Sequence, residues 1–336
     1  MLVVGTGIAG SILAYEAQKN KIDYLLINSQ NNPLSNTSSL SNAHCRVIKD
    51  DELEKTIETS VEKFGERESV ARFVYSQSYL VLKLFEELKI NFERRAFGVI
   101  PTYNIKGGYV LLKALQKNLL NISNGTTLID FKKSNSSFKV LLQKDGFFIE
   151  IESNRVVLAT GGYGGSFENS DCFRYKNYNV FDMVSSNGGM IENLDSIFVH
   201  PFGYSKGKKI LIGNEVKRGE FITQSGSPAF SAGFSTILRN NNYHERMDDL
   251  VEEIYNLKKS GQKLFFRDSQ RLIEITPTVH YTGGGIKTDE FGRVENINGL
   301  SALGECRADG SKRGGRLPRY AFTAPIVQAI VLAKSF

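Results

Sequence analysis

The sequence contains few cysteines, and none of them stands in an arrangement typical of cysteine chemistry. Cys45, Cys172 and Cys306 are an odd number and form no C-x-x-C pair. A disulfide framework or a structural zinc site needs paired or clustered cysteines, and an iron–sulfur cluster needs about four thiolates. The cysteine pattern therefore argues against a disulfide framework, a structural zinc site and an iron–sulfur cluster held by this chain. We expect no metal site.

Long apolar runs and concentrated basic segments are also missing. The net charge is only +6, with Lys and Arg spread along the chain, so we expect no nucleic-acid partner. No stretch reaches the roughly 18 uninterrupted apolar residues of a membrane-spanning helix. The apolar start, Met1–Ala14, is interrupted by glycines and carries no basic leader. These features predict a cytoplasmic protein without a membrane span.

The order of local patterns predicts an α/β fold. A short apolar strand at Met1–Val4 precedes a glycine turn, a helix at Ile8–Lys19 and a second strand at Tyr24–Ile27, which together form a β-α-β unit. Buried strands are also predicted at Arg155–Ala159 and Leu300–Leu303. A loop is predicted at Gln30–Ser41. Helices are predicted at Asp51–Phe64, Glu68–Leu88, Lys106–Leu120 and Thr323–Ala333. Short strands are predicted at Thr127–Phe131, Phe138–Gln143 and Phe147–Glu152.

The middle of the chain differs in character from both ends. Residues 182–276 are more polar and include a charged helix at Glu245–Lys259. A chain of 336 residues suits two domains, or one with an insertion. We therefore predict a Rossmann-like nucleotide-binding domain in two parts, 1–181 and 277–336, with an inserted α+β capping domain at 182–276 that holds the substrate.

The segment Gly5-Thr6-Gly7-Ile8-Ala9-Gly10 fits the dinucleotide-binding pattern G-x-G-x-x-G. It follows a predicted strand and opens a predicted helix, as this pattern requires. The first glycine makes the tight turn, the second lets the backbone approach a pyrophosphate, and the third permits close packing of helix and strand. The acidic residue expected about twenty positions later is replaced by Asn28-Ser29, which we expect to accept the ribose hydrogen bond.

Two later turns favour FAD over NAD as the dinucleotide. Ala159-Thr160-Gly161-Gly162 follows one buried strand, and Gly304-Glu305 follows another near the C-terminus. FAD binds in an extended conformation, so distant segments must converge on its adenosine, ribityl and flavin portions. A simple NAD site does not need the late Gly-Glu turn.

The order of motifs resembles that of the flavoprotein family of succinate dehydrogenase, fumarate reductase and L-aspartate oxidase, and is closest in style to L-aspartate oxidase. The resemblance covers nearly the whole chain. Beyond the glycine turns it rests on three segments: His200-Pro201, Pro277 to Gly285 around His280, and Gly304-Glu305 followed by Gly315-Arg316-Leu317. The C-terminal helical domain of long family members has no counterpart in this sequence.

The resemblance implies an FAD-dependent oxidoreductase that acts on a small dicarboxylate. His200, His280 and Arg316 are implied to bind the carboxylates and to serve catalysis, and Arg218 and Thr282 to line the substrate site. Arginine suits a carboxylate because its charged fork is bidentate. Some relatives attach FAD covalently through a histidine, but His44 falls several residues past that position, so we expect noncovalent FAD.

The resemblance also implies an arginine of the capping domain that acts as a proton donor or as a transition-state stabiliser near the substrate. The Pro-Arg-Asp signature is missing, which leaves Arg239 and Arg246 as candidates by spacing. Either could instead be a surface charge. The sequence also departs from the family at Tyr178-Asn179-Val180, at Gly315, and at Pro318-Arg319-Tyr320.

Three functions remain open from the sequence. The first is an L-aspartate oxidase, which forms iminoaspartate for NAD biosynthesis and is reoxidised by oxygen or fumarate without a partner. The second is a fumarate reductase or succinate dehydrogenase type flavoprotein subunit, which passes electrons to an iron–sulfur partner subunit. The third is a degenerate flavin-binding protein without turnover.

Overall fold

The computed structural model describes residues 1–95, 98–174, 179–211, 214–240, 246–311 and 316–336; for residues 214 and 239 it describes the backbone. The chain divides into two units. Unit 1 comprises Met1–Gly162, Asn177–Ser196 and Gly283–Phe336, and unit 2 comprises Tyr163–Lys176 and Ile197–Thr282. Each unit has its own hydrophobic core.

Unit 1 combines strands and helices, numbered here along the whole chain. Its strands are β1 (Leu2–Val4), β2 (Leu25–Asn28), β3 (Phe92–Arg95), β4 (Gly98–Pro101), β5 (Ile122–Asn124), β6 (Thr126–Ser134), β7 (Ser137–Lys144), β8 (Phe147–Ser153), β9 (Val156–Leu158), β10 (Ile191–Glu192), β16 (Gly285–Ile286) and β17 (Leu300–Ala302). Its helices are α1 (Ile8–Lys19), α2 (Thr37–Leu40), α3 (Leu53–Phe64), α4 (Glu68–Ser76), α5 (Leu80–Glu87), α6 (Gly107–Gln116), α7 (Val180–Ser186) and α11 (Tyr320–Lys334).

A parallel sheet of order β17-β9-β1-β2-β5 organises unit 1. Both faces of the sheet are covered, as is usual for parallel sheets. Successive side chains of a strand point to opposite faces, and β1 divides accordingly. Val3 packs with helices α1, α6 and α11, whereas Leu2 and Val4 pack with the antiparallel meander β6-β7-β8 and with α7. The predicted β-α-β unit and α/β class are confirmed.

Some predicted elements differ from the structure. The single helix predicted at Glu68–Leu88 is wrong, because residues 77–79 separate α4 from α5. At this break Ser78 is buried, and its Oγ accepts a hydrogen bond from the Ile48 amide at 2.9 Å. The predicted loop 30–41 contains α2, and the last helix begins at Tyr320 rather than Thr323. Within the described residues, no helix combines the length and apolar character needed to cross a bilayer.

Unit 2 combines one sheet with three helices. Its strands are β11 (Ile197–Tyr204), β12 (Lys209–Ile210), β13 (Glu220–Thr223), β14 (Leu264–Arg267) and β15 (Leu272–Thr282), and its helices are α8 (Asn214–Lys217), α9 (Ala232–Arg239) and α10 (Met247–Lys259). The strands form an antiparallel sheet of order β12-β11-β15-β14-β13. The core of the unit is rich in phenylalanine, and Phe221 stacks on Phe202 with ring centroids 4.5 Å apart.

The two units have bounds different from the predicted domain limits. Residues 182–196 lie in unit 1, because β10 pairs with β16 and α7 packs into the core beneath the parallel sheet. Residues 163–176 lie in unit 2, where Ser170 forms a parallel bridge with Val279. The strand β15 runs without a break through position 277, so the second limit falls after Thr282. The capping role of unit 2 stays a prediction.

A buried carboxyl group lies just beyond the end of α3 in unit 1. The helix ends at Gly65, whose φ of 73° is the left-handed conformation that glycine adopts easily. The next residue, Glu66, turns inward, and its Oε2 accepts hydrogen bonds from Ser60 Oγ and from the Tyr75 hydroxyl at 3.4 Å. Burial raises the pKa of Glu66 to about 7, against the opposing hydroxyls of Ser60 and Tyr320. This carboxyl group should therefore remain protonated in mildly acidic solution.

We expect Glu66 to make stability depend on pH. Between the ordinary pKa of 4.5 and the folded value of about 7, the folded protein holds a proton that the unfolded chain has lost. Stability therefore falls as pH rises through this window, by on the order of 3 kcal/mol. Urea unfolding from pH 5 to 8 should show a shallower decline for Glu66→Gln. Glu62→Gln, an exposed position on α3, is the control, and equal slopes in all three proteins would contradict the assignment.

Candidate flavin and substrate sites

Two glycines of the N-terminal turn are required by the packing of the protein itself. A Cβ built on Gly5 would lie 2.3 Å from the carbonyl oxygen of Ala159, and the φ of Gly5 is 111°. A Cβ on Gly10 would lie 1.9 Å from the carbonyl oxygen of Gly5. Both distances are far shorter than a van der Waals contact, so any larger residue would force the strands and helix α1 apart.

Gly7 is different, because the protein places almost nothing against it. Its φ is −66°, which any residue can adopt. A Cβ on Gly7 would meet only Ser38 Oγ, at 3.4 Å. The remaining space lies at the N-terminus of α1, where backbone N–H groups and the helix dipole favour a phosphate. The residues present therefore fit the pyrophosphate of a dinucleotide.

The three glycine turns predicted to bind the cofactor meet at one edge of the parallel sheet. The Ala159 amide donates to the Val4 carbonyl at 2.8 Å, and the Leu303 amide donates to the Leu158 carbonyl at 2.9 Å. The ends of β1, β9 and β17 are thus neighbours. Gly161 has a φ of 77°, and apart from its chain neighbours no described residue has an atom within 4 Å of its Cβ position. Thr160, Gly162, Gly304 and Glu305 stand half-buried beside it, and Ile8 and Ala9 are buried in the first turn of α1.

The residues expected at the ribose have separate environments. Asn28 is buried, and its Nδ2 donates to the carbonyls of Gln30 at 2.8 Å and Asn32 at 3.2 Å. Its amide therefore holds the turn after β2. Ser29 is exposed at the end of the same strand. The ribose contact stays a prediction, and Ser29 is the more accessible of the two residues.

Residues 33–40 support the glycine turn, although no local sequence pattern indicates it. Ser38 Oγ accepts a hydrogen bond from the Ile8 amide at 3.2 Å, and Thr6 Oγ1 donates to the Pro33 carbonyl at 2.8 Å. Gln116 of α6 donates to the Thr6 carbonyl at 3.0 Å. These contacts join positions far apart in sequence, so local patterns in a segment rich in Asn and Ser could not indicate them.

A second part of unit 1 contains a buried arginine nitrogen without a hydrogen-bond acceptor among the described residues. Arg319 precedes α11 with a φ of 75°, and its buried Nη1 finds no acceptor among the described residues. Burial, with the neighbouring charge of Arg95, lowers the pKa of Arg319. Burial also lowers the pKa of His44, helped by Arg319 and Lys106. A buried donor of this kind fits a ligand with carbonyl or anionic oxygens, which a flavin offers.

Unit 2 brings together the two histidines of the predicted substrate site. The rings of His200 and His280 lie 6.0 Å apart between centroids. His200 is 3% exposed, and its Nδ1 accepts a hydrogen bond from the Phe202 amide at 3.2 Å. His280 is 34% exposed at its side chain, and its Nδ1 lies 2.8 Å from Asp171 Oδ2. Asp171 is a residue that the sequence did not single out.

The other predicted substrate residues differ in exposure. Thr282 is buried at the end of β15 and Arg316 is partly buried ahead of α11, whereas Arg218 is exposed. Arg246 is half-exposed, pairs with Asp249 and lies 4.9 Å above the Phe234 ring, which is the arrangement of a surface charge. The side chain of Arg239 lies outside the described part of the chain. So do Tyr178 and Gly315, two positions at which the sequence departs from the family pattern.

Comparison with known proteins points to the same kind of protein as the glycine turns. Residues 240–318 match the family model described as an FAD binding domain. L-aspartate oxidase of Clostridium perfringens is 23% identical over 94% of this chain and 82% of its own length. L-aspartate oxidase of Pyrococcus furiosus is 24% identical over 99% of this chain and 76% of its own length. A variant of E. coli quinol fumarate reductase has a TM-score of 0.78 at 18% identity, over 99% of this chain and 69% of that chain.

Fold, glycine turns and family match together define the class as an FAD-binding flavoprotein. The chain is similar to L-aspartate oxidases over nearly its whole length, and its fold resembles that of fumarate reductase flavoproteins. The resemblance drawn from the sequence motifs is thereby confirmed, as is FAD as the cofactor. The identity to the fumarate reductase is low, so that likeness concerns the fold alone.

We expect substitutions of two glycines to separate cofactor binding from folding. Gly7→Ala should keep the stability of the protein but lower FAD affinity about tenfold or more, because the methyl group enters the open space. Gly10→Ala should lower the free energy of unfolding by about 1–3 kcal/mol or more through the contact with the Gly5 carbonyl. Urea unfolding of the apoprotein and fluorescence titration with FAD measure the two effects.

Gly233 of α9 provides the matched control. Its Cβ position has one neighbour within 4 Å, Ser231 Oγ at 3.9 Å, so Gly233→Ala should leave both stability and FAD affinity essentially unchanged. Undiminished FAD affinity in Gly7→Ala would refute the placement of the pyrophosphate at this turn.

Proposed function

We propose that this FAD-dependent oxidoreductase acts on a small dicarboxylate, and specifically that it oxidises L-aspartate to iminoaspartate. The support is the match to L-aspartate oxidases over nearly the whole chain. Bound FAD would accept the hydride from the substrate carbon. The protein's part is to bind and orient the two carboxylates and to remove a proton.

The single observation that carries the substrate class is the histidine pair of unit 2. Since Nδ1 of His200 accepts a backbone hydrogen bond, the neutral ring carries its proton on Nε2 and can donate it to a carboxylate oxygen. His280 stands 6.0 Å away and remains partly exposed. A partly buried imidazole pair of this kind suits a compact anion. Thr282 and Arg218 of unit 2 are proposed as further substrate residues. The motif resemblance separately proposes Arg316 as a bidentate partner for a carboxylate.

A fumarate reductase or succinate dehydrogenase type of activity is the second candidate. The observation that keeps it open is the set of motifs around His200, His280 and Arg316, which resemble this family as well as L-aspartate oxidase. The fold similarity to the E. coli quinol fumarate reductase, over 99% of this chain, is compatible with it. Under this alternative the physiological partner would be an iron–sulfur subunit. Under the first, oxygen or fumarate would reoxidise the flavin, and noncovalent FAD in a cytoplasmic enzyme would suffice.

Anaerobic flavin spectroscopy separates these candidates. The FAD-loaded protein is mixed first with L-aspartate and, in a separate sample, with succinate, and the flavin absorbance is followed. Bleaching by L-aspartate alone supports the oxidase, and bleaching by succinate supports the second candidate. A protein that binds FAD but bleaches with neither substrate contradicts both proposals and leaves flavin binding without dicarboxylate turnover.

Arg316→Ala should weaken substrate binding while sparing the cofactor. Loss of a charge-assisted bidentate contact costs roughly 2–3 kcal/mol, or about a hundredfold in affinity. The measurements are the dicarboxylate concentration needed for half-maximal bleaching and the FAD content of the purified protein. Arg72→Ala, which removes an exposed arginine paired with Glu54, is the control. Unchanged substrate affinity in Arg316→Ala would refute the carboxylate assignment.

A further inference from the structure

We propose that Asp171 is a positioning residue that makes His280 the proton-transfer group of this enzyme. The inference rests on the proposed function, since it concerns the same substrate site. Its starting point is the contact between Asp171 Oδ2 and His280 Nδ1 at 2.8 Å. The two residues are 109 positions apart in the chain, so the fold, and not local sequence, creates the pair.

The contact fixes which ring nitrogen of His280 holds the proton. An ionised carboxylate can only accept hydrogen bonds, so Nδ1 of His280 must donate to Asp171. The neutral ring then has an unprotonated Nε2, which can take up a proton. The carboxylate stabilises the imidazolium that results, in the same way that a carboxylate orients a catalytic histidine in other enzymes.

The neighbouring histidine has the opposite arrangement. His200 accepts at Nδ1 from the Phe202 amide, so its neutral ring presents Nε2–H as a donor. It is also almost fully buried, at 3% exposure, whereas the His280 side chain is 34% exposed. The pair therefore offers one fixed donor and one proton acceptor, and the acceptor is the accessible ring.

The backbone around Asp171 holds its carboxylate in place. The Asp171 amide donates to the Val279 carbonyl at 3.2 Å, and the Val279 amide donates to the Asn169 carbonyl at 2.8 Å. On the following residue, Cys172 Sγ contacts the His280 carbonyl oxygen at 3.5 Å. The segment 169–172 is thus anchored to β15 at Val279 and at His280 itself, and the Asp171 side chain is only 16% exposed.

Other charged groups near Asp171 are engaged elsewhere. Lys208 donates to the backbone carbonyls of Glu168 at 3.3 Å and Ser170 at 3.2 Å, and burial, with Arg174 nearby, lowers its pKa. Arg174 donates to the Glu168 carbonyl at 3.0 Å. The Glu168 side chain is exposed, and the Cys172 thiol is buried. Lys208 also interacts with Asp171 through charge, but among the described residues His280 is the side chain that contacts the Asp171 carboxylate at hydrogen-bond distance.

The step assigned to the dyad is a proton transfer. An N–H bond of the substrate ammonium breaks, its electron pair stays on nitrogen as the lone pair, and the proton forms an N–H bond with Nε2 of His280. The amine is then neutral, as hydride loss from the adjacent carbon requires. Asp171 keeps its negative charge throughout and does not itself take the proton.

The tautomer of His280 can be tested without activity. The chain has four histidines, so selective ¹⁵N-histidine labelling of the FAD-loaded protein gives a spectrum simple enough to assign with His280→Asn. We expect the neutral His280 ring in the Nδ1–H form in the unaltered protein and a shift toward the Nε2–H form in Asp171→Asn. An Nε2–H form of His280 in the unaltered protein would overturn the proposal, whatever substrate the enzyme uses.

Kinetics tests the same assignment in the active enzyme. Asp171→Asn should lower kcat for L-aspartate about a hundredfold with KM changed less than about threefold, because general base catalysis contributes about 10²–10⁴-fold. Asp171→Glu should recover most of the lost rate, since it restores a carboxylate.

Two further variants complete the test. Glu168→Gln removes the neighbouring exposed carboxylate and should retain the original rate and pH profile. The double variant Asp171→Asn, His280→Asn should be no slower than His280→Asn alone, because the two residues act as one unit. Wild-type kcat in Asp171→Asn would overturn the proposal while leaving the oxidase function intact. Absence of bleaching by any dicarboxylate would contradict the proposed function, and the tautomer measurement would still decide the dyad.

Discussion

Unit 1 depends on the close approach of β1 and β9, which the missing side chain of Gly5 makes possible. The carbonyl of Ala159 occupies the position that a Cβ on Gly5 would need. Gly10 applies the same constraint to helix α1, whose third residue lies directly on the Gly5 carbonyl. Because the hydrogen-bonded spacing of parallel strands is fixed, this approach also sets where β17 and its Gly304 turn must lie. The cofactor edge of the sheet is thus a consequence of backbone packing.

Helix packing continues the same argument above the sheet. A Cβ on Gly304 would lie 3.4 Å from the Ala9 Cβ and 3.8 Å from the Pro325 Cβ. The late turn therefore adjoins the first turn of α1 and the second turn of α11. The N-terminal end of α11, with Arg319 ahead of it, consequently belongs to the same edge as the glycine turn. At this end of unit 1 lie the N-termini of α1 and α11, the open space beside Gly7 and the partly buried guanidinium of Arg319. Together these features suit an anionic dinucleotide.

The sequence predicted those features whose signals are local. The glycine spacing, the apolar strand and the helix after it lie within twenty residues, and all are present as expected. The break between α4 and α5 was not predictable, because it depends on Ser78 reaching the Ile48 amide. The domain limits were displaced for a similar reason, since the pairing of β10 with β16 joins residues nearly a hundred positions apart. Asp171 was not predictable as a site residue, because nothing in Asn169-Ser170-Asp171-Cys172 indicates a histidine partner. The bridge between Ser170 and Val279 brings Asp171 next to His280.

The different roles of His200 and His280 follow from which ring nitrogens can donate or accept a proton. A guanidinium stays protonated at all ordinary pH values and needs special surroundings to release a proton. Arg246, one candidate for that role, is instead half-exposed and paired with Asp249. Imidazole changes charge near neutral pH without special surroundings, and the two imidazoles here are held by different partners. A backbone amide at Nδ1 makes His200 a donor, and a carboxylate at Nδ1 makes His280 a base. A dicarboxylate that carries an amino group needs both, one group to hold a carboxylate and one to take the proton.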